Sequence, residues 1–427
     1  ANLSVRRTQT HSRRVPKQTV ENTMTDDLTI LFVNDYCDIQ GGAEEILHFE
    51  AELLGSAGHN ITTVGFQRPG ECRKQVTDRI LTESSNRVRR IAEKITVHPE
   101  IYCGLRRLLS SVDPDVIHLH KNVNYPTTVL LACRGYPVVK THHDFTNVCP
   151  SGWAVYQDSH EVCDGGPGLK CVRHGCKSAA EMAAYHGPRH AARLPLQRTI
   201  VDRHVAPSRS LAAYLDRFDL PAQALPNPRS RKFGLDPSFG PGDEYFAYLG
   251  THAEKKGVED LVRATEWVVK ERNRSLRLHI AGDGPLRDQL ETQVEKKGLQ
   301  DWISFEGFLP KPELRSLVAN ARAVVVPSIW MENFPTVVSE AFSLGRPVVG
   351  SDRGGIPEML DYGGRGVVYP ATDIAELGDA MLKLLVEPER AAELGRAGYN
   401  YAASELDPER HRERLTEVLR SATTKAE

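Results

Sequence analysis

No stretch of this sequence approaches the roughly 20 consecutive apolar residues that a membrane-spanning helix needs. The longest apolar runs, such as Ala323 to Pro327, read instead as buried strands. An excess of charge of one sign is also missing. The formal net charge is -2, which argues against a nucleic-acid binder held by a global basic field. Residues 1-24 carry Arg6, Arg7, Arg13, Arg14 and Lys17 but no apolar segment, so they are not a secretory signal. They read as a disordered tail ahead of Met24. The eight cysteines contain no Cys-x2-Cys pair, and a chain of this length needs no disulfide framework to fold. Without an export signal the expected location is cytoplasmic, with reduced thiols.

What is present is an ordinary globular composition, 40% hydrophobic and 26% charged, in 427 residues. That length accommodates about two or three domains. Two halves share one grammar, short β-branched runs alternating with helical periodicity, which implies parallel sheets covered by helices. In the first half, strands are expected at Leu28–Val33, Ile61–Phe66, Val116–Leu119, Val138–Thr141 and His204–Ala206. Helices are expected over Ala43–Ala57, Tyr125–Cys133 and Ser208–Phe218. Leu220 to Asp243 is rich in Pro, Gly and Arg and reads as the linker. The second half repeats the pattern, with strands at Tyr245–Leu249, Leu276–Ala281, Ile303–Phe305, Ala323–Val326, Val348–Gly350 and Gly366–Val368. Polar helices run from Asp373 to about Ala422.

The chemistry concentrates in Glu332-Asn-Phe-Pro-Thr-Val-Val-Ser-Glu340, where two carboxylates stand eight positions apart. Pro335 suits the first turn of a helix, because its missing N–H would have no partner there. Glu332 then precedes the helix and Glu340 lies inside it. Free N–H groups at a helix start attract an anion such as a diphosphate. A carboxylate inside the helix suits a ribose diol, and one outside suits a sugar. On spacing alone, a surface helix that happens to carry two acids is the better reading.

The run from Pro327 to Glu358 strongly resembles the signature of the retaining glycosyltransferases of glycogen-synthase type, family 4, which have the two-domain GT-B fold. The resemblance rests on the Glu332/Glu340 pair, the Gly345-Arg-Pro-Val-Val strand and the Gly354-Gly355-Ile-Pro-Glu358 turn, and it covers the chain from Leu28 to the final helices. It implies an α/β architecture of two facing Rossmann-like domains. The first, residues 25-228, would hold the acceptor and carry a Cys-rich insertion at 149-176. The second, 229-405, would bind the nucleotide sugar, and residues 406-427 would cross back as a helix.

The resemblance assigns roles residue by residue. Gly41 and Gly42 match a loop that approaches donor phosphates and acceptor, where glycine permits close backbone. His143 matches a catalytic-site histidine at a strand end, with His142 as the alternative register. Gly250 to Gly257 matches the phosphate-binding loop. There Lys256 fits, Thr251 stands where arginine is usual, and Lys255 or His252 would make up part of the missing charge. Gly282 matches the next strand end, and Phe308 and Leu309 match the loop that receives the base. Asn333, Phe334, Pro335 and Thr336 complete the donor set with Glu340. His143, Glu332 and Lys256 form the catalytic set. Asp113-Pro-Asp115, which in another glycosyltransferase fold would hold a metal, reads here as a structural helix-to-strand junction.

The implied reaction moves a hexose-type sugar from a UDP- or GDP-sugar to a sugar, lipid-linked or small-molecule acceptor, without a cofactor or catalytic metal and without nucleic acid. A nucleotide-sugar epimerase or phosphorylase of the same fold is the alternative. Arg87 to Leu109, with Arg87, Arg89, Arg90, Lys94, Arg106 and Arg107 around Val88, Ile91, Ile95 and Leu105, is a candidate for peripheral contact with an anionic inner membrane face. An ordinary solvated helical face fits it as well. Cys149, Cys163, Cys171 and Cys176 are a candidate structural zinc site, with disulfides or buried free thiols as the alternatives.

Overall fold

A computed structural model of the chain describes residues 27–67, 75–82, 96–231 and 233–424. The N-terminal tail and Arg87 to Lys94 lie outside the described residues. The first sheet is built from β1 (Thr29–Val33), β2 (Asn60–Gln67), β3 (Arg79–Thr82), β4 (Val116–Leu119), β5 (Val138–Thr141), β6 (Arg203–Ala206) and β7 (Ala222–Ala224). Its order is β3-β2-β1-β4-β5-β6-β7, and every described pairing is parallel. The second sheet comprises β8 (Tyr245–Leu249), β9 (Arg277–Ala281), β10 (Ile303–Gly307), β11 (Ala323–Val326), β12 (Val348–Ser351) and β13 (Gly366–Tyr369). Its order, β10-β9-β8-β11-β12-β13, repeats the first.

Both orders reverse direction beside the first strand of their domain, between β1 and β4 and between β8 and β11. Open parallel sheets bind ligands at that switch point, beyond the carboxyl ends of the strands. Strands such as Val116–Leu119 and Ala323–Val326 are buried at every position, because helices cover both faces and leave no solvent side for polar alternation.

The expected linker is not structureless. Ala222–Ala224 adds β7 to the edge of the first sheet, although none of its residues is bulky or β-branched. A helix over Pro99–Val112 follows a His98 cap. Its Leu105 is buried in the core of the first domain. Arg106 donates to the carbonyl oxygens of Ala132 and Arg134, whereas Arg107 is exposed. Asp115 accepts the Thr29 N–H at 2.7 Å, which uses this acid to tie strand starts together.

The last helix, Pro408–Thr423, leaves the second domain and packs on the first. Leu415, Val418, Leu419 and Ala422 share one apolar cluster with Ile30, Phe32, Leu47, Val116 and Val139.

Candidate active site

The site forms where strand ends of the two domains meet. On the second domain, Lys256 closes the loop after β8. Its Nζ donates to Glu332 Oε1 at 2.7 Å, and Ser328 Oγ donates to the same oxygen at 2.7 Å. Burial alone would raise the Glu332 carboxyl. The Lys256 ammonium, together with hydrogen bonds from Lys256 and Ser328, overrides it and holds the group below the ordinary carboxylate range. The buried acid is therefore a carboxylate at neutral pH.

Two glycines let these loops nest. Gly257 has φ +66°, and a Cβ there would lie 1.8 Å from the Pro327 carbonyl oxygen. Gly354 has φ +59°, and a Cβ there would lie 1.9 Å from the Glu332 carbonyl oxygen. Neither position accepts a side chain without moving the loop that carries Glu332. The expectation for Gly41 and Gly42 differs. A Cβ at either would meet only ordinary contacts, at 3.9 Å from Glu44 Oε2 and 3.8 Å from Thr336 Cγ2. No protein atom requires glycine there, and the second distance places Gly42 directly opposite Thr336.

Glu332 precedes the helix Thr336–Ser343, whose N-cap is Pro335. Glu340 lies inside that helix and is buried. Asn333 and Phe334 are buried, whereas Phe308 is 89% exposed at the tip beyond β10. Thr251 is exposed, and its carbonyl oxygen accepts the Tyr248 hydroxyl at 2.9 Å. Lys255 Nζ sits 4.3 Å from the centroid of the Trp330 ring, a cation–π position. Gly282 N–H donates to the Gly307 carbonyl at 2.7 Å. His252 corrects the reading from sequence. It is fully buried, against Tyr248 and Phe305, and so offers no charge to a ligand in the loop. Its neighbour Thr251 turns out while the ring turns into the core, a choice that the alternation of a polar loop does not disclose.

On the first domain, His143 follows β5. Its Nε2 lies 2.8 Å from His120 Nδ1. Burial, reinforced by the neighbouring His120, pushes its imidazole down to about 3, so the ring is neutral at pH 7. His142 turns the other way. It is fully buried, with Nε2 3.0 Å from His204 Nδ1 and Nδ1 3.1 Å from Asn147 Nδ2. The two domains touch here, because Asn333 Nδ2 donates to the His142 carbonyl oxygen at 3.2 Å.

Sequence reading missed several groups. Asp35 follows β1, accepts the N–H groups of Val123 and Asn124, and is pushed up to about 6 by burial. Trp153 in the insertion accepts the Met331 N–H at 3.0 Å, which sets the insertion against the Glu332 loop. His118 and His120 alternate along the end of β4, a His-x-His signal visible in the sequence.

The insertion contains a short helix, Leu169–Arg173, and one bridge between Val155 and Val162. Its four thiols are free. Among the described residues, the group whose ligand atoms lie within 4.8 Å of one another is Glu50, His118 and His120, not the cysteines. Burial pushes the Cys163 and Cys176 thiols up.

A cleft between two such sheets, with this carboxylate–lysine pair on one wall and a histidine on the other, defines a glycosyltransferase of GT-B fold. The family model for Glycosyltransferase Family 4 matches residues 40–228, and that for Glycosyl transferases group 1 matches residues 236–401. The chain belongs to these glycosyltransferases. It is 32% identical over 202 residues to alpha-D-kanosaminyltransferase of Streptomyces kanamyceticus, a match that spans 45% of this chain and only 50% of that relative. It is 29% identical over 322 residues to glycogen synthase of Mycobacterium tuberculosis, covering 73% of this chain and 70% of that protein. Its fold matches Anabaena HepE in complex with UDP at a TM-score of 0.68 and 16% identity, covering 92% of this chain and 99% of the other. Sucrose-phosphate synthase from Thermosynechococcus elongatus matches at 0.70 and 18% identity, over 93% and 99%.

Proposed function

We propose that this protein transfers a hexose-type sugar from a nucleoside diphosphate sugar, held on the second domain, to an acceptor held on the first, with retention at the anomeric carbon. The observation that carries the reading is the Lys256–Glu332 pair at 2.7 Å, set beside the start of the Thr336–Ser343 helix and across from His143. A diphosphate leaving group needs positive charge where its own charge develops. Lys256 and the free N–H groups at that helix start supply it. Glu332 faces the donor sugar and Glu340 the ribose. UDP in the HepE structures supports a nucleotide donor, and Phe308, exposed beyond β10, is placed to meet a base.

The acceptor hydroxyl attacks from the face the diphosphate leaves. The C1–O bond to the phosphate breaks as the new glycosidic bond forms, and the departing phosphate oxygen takes the hydroxyl proton. A cavity of about 270 Å³ between Ile39, His48 and Phe49 on one side and Lys311 and Thr336 on the other is the proposed approach for the acceptor, be it a sugar, a lipid-linked sugar or a small molecule. No described helix is long and apolar enough to cross a membrane.

The test is a panel of UDP-, GDP-, ADP- and dTDP-sugars, read by thermal stabilisation, which reports binding to the folded state alone. The cognate donor should stabilise the parent, and Glu340→Gln should remove most of that shift. Product NMR should show the donor's anomeric configuration. No response to any nucleotide sugar, or an inverted product, overturns the proposal.

A further inference from the structure

A line of buried polar groups runs from the final helix to His143. Glu50 on the first helix (Gly42–Ser56), His118 and His120 at the end of β4, and His411 on the Pro408–Thr423 helix are all buried. His411 Nδ1 lies 2.9 Å from the Pro226 carbonyl oxygen, and its Nε2 lies 3.0 Å from Glu50 Oε1. Glu50 Oε2 lies 3.3 Å from His120 Nε2. The other nitrogen of His120 meets His143 at 2.8 Å.

We infer that Glu50 and His411 are positioning residues that fix the tautomer of His143, and with it the sense of the hydrogen bond His143 makes to the sugar. The inference rests on the proposed function only in placing that sugar beside His143.

The protons can be assigned from what each partner is able to do. A carbonyl oxygen only accepts, so His411 Nδ1 carries a proton toward Pro226. Burial would raise the Glu50 carboxyl, but its contacts with His120 and His411 dominate and hold it well below the ordinary range, so it is a carboxylate with Oε1 against His411 and Oε2 within ion-pair reach of His120. His411 Nε2 faces the Glu50 carboxylate at 3.0 Å, which ties the last helix to the first.

His120 Nε2 faces two acceptors, Glu50 Oε2 and, at 3.4 Å, His118 Nδ1. The latter is bare when His118 donates from Nε2 to the Thr141 hydroxyl, 2.8 Å away. The His120 proton therefore sits on Nε2, and its Nδ1 is a lone pair. His143 must donate to that lone pair from its own Nε2. Its Nδ1 is left as an acceptor, suited to a sugar hydroxyl that donates. One tautomer of one ring is thus set by a carboxylate held between the first helix and the last, a longer version of the carboxylate-to-imidazole orientation found at other catalytic histidines.

The same atoms offer one competing arrangement. Glu50 Oε2, His118 Nδ1 and His120 Nε2 lie close enough together to hold a divalent cation. A cation would take the lone pair of His120 Nε2, move the His120 proton to Nδ1, and leave His143 Nε2 bare. The two arrangements therefore predict opposite tautomers at His143.

Ligand-free protein labelled with 15N-histidine, read by long-range 1H–15N correlations, decides between them. The expected result is the Nε2–H tautomer at both His120 and His143. An Nδ1–H signature at His143, or stoichiometric metal in the purified protein, overturns the inference. In Glu50→Gln the His143 pattern should become mixed, and kcat should fall about ten- to hundredfold with donor KM within about twofold, the scale of a misplaced catalytic contact. His411→Asn should shift both readouts the same way. An unchanged His143 pattern in folded Glu50→Gln overturns the inference. The spectra need no substrate, so they stand even if no nucleotide sugar is turned over, an outcome that would sink the proposed function alone.

Discussion

Asn333 donates its side-chain amide to the carbonyl oxygen of His142 at 3.2 Å, while its amide oxygen accepts the Ser208 hydroxyl at 3.3 Å. One buried side chain on the second domain thus holds two points of the opposite domain. It does so between Glu332 and the start of the Thr336–Ser343 helix. Asn333→Ala should cost about 1–2 kcal/mol of stability, the scale of losing a buried hydrogen bond, and should weaken transfer through loss of alignment. Denaturant unfolding together with kcat/KM checks this. A variant of parental stability and parental kcat/KM would show that the bridge does not align the site.

The two adjacent histidines should separate cleanly. His143 is partly exposed at the cleft and contacts His120, whereas His142 is buried between His204 and Asn147. His143→Ala should lower kcat about a hundredfold with the melting temperature little changed. His142→Ala should lower stability by about 2 kcal/mol or more, because it opens a cavity and strips two partners from buried polar groups. Paired thermal melts and steady-state kinetics test it, and a reversed pattern would exchange their roles.

Asp35 makes a pH-dependent contribution of known sign. Burial raises its carboxyl from 3.8 to about 6, so the folded state holds the proton more tightly than the unfolded chain does. The stability this confers is fully present below pH 3.8, falls as pH rises, and is lost above about 6. Asp35→Asn cannot titrate. The difference in unfolding free energy between Asp35→Asn and the parent should therefore change between pH 4 and 7 by about 2 kcal/mol in favour of the variant. A flat difference curve from urea titrations would show that Asp35 is not shifted.

The sequence made the fold legible wherever strands are buried on both faces, because runs such as Ala323–Val326 or Val138–Thr141 admit no other placement. It did not reveal β7, whose Ala222–Ala224 carries no β signal and is held by pairing with β6. At the proposed site, the motif positions of Lys256 and Glu332 come together in the structure and His143 follows β5, while the roles given to them belong to the proposal. The Glu50–His120–His411 line was not legible, because its members lie on three elements spread across the chain, and only the crossing of the last helix brings them together. His252 was misread for a related reason. A loop sequence shows polarity, but the side toward which each residue turns is set by packing, here against Phe305.

The loop from Gly250 to Gly257, the proposed diphosphate contact, gives the last prediction. Thr251 brings no charge where the family usually has arginine, His252 is buried, and Lys255 stacks on Trp330, so Lys256 is the cation of this loop aimed at Glu332. Lys256→Ala should weaken donor binding about ten- to hundredfold, the scale of losing a charge-assisted hydrogen bond. Lys255→Ala should cost much less, and His252→Ala should lower stability while leaving donor affinity near parental. Removing Lys256 also strands the buried Glu332 carboxylate, and breaking such a pair destabilises strongly. Lost binding could then reflect lost folding. The double variant Lys256→Ala/Glu332→Gln separates the two, since a neutral amide beside Ser328 needs no counter-ion. It should recover most of the stability lost in Lys256→Ala and none of the donor affinity. Calorimetric titration at two salt concentrations completes the test: parental affinity should fall with salt more steeply than that of Lys256→Ala, because one fewer cation meets the diphosphate. If Lys256→Ala binds donor as tightly as the parent, the diphosphate lies elsewhere in the cleft.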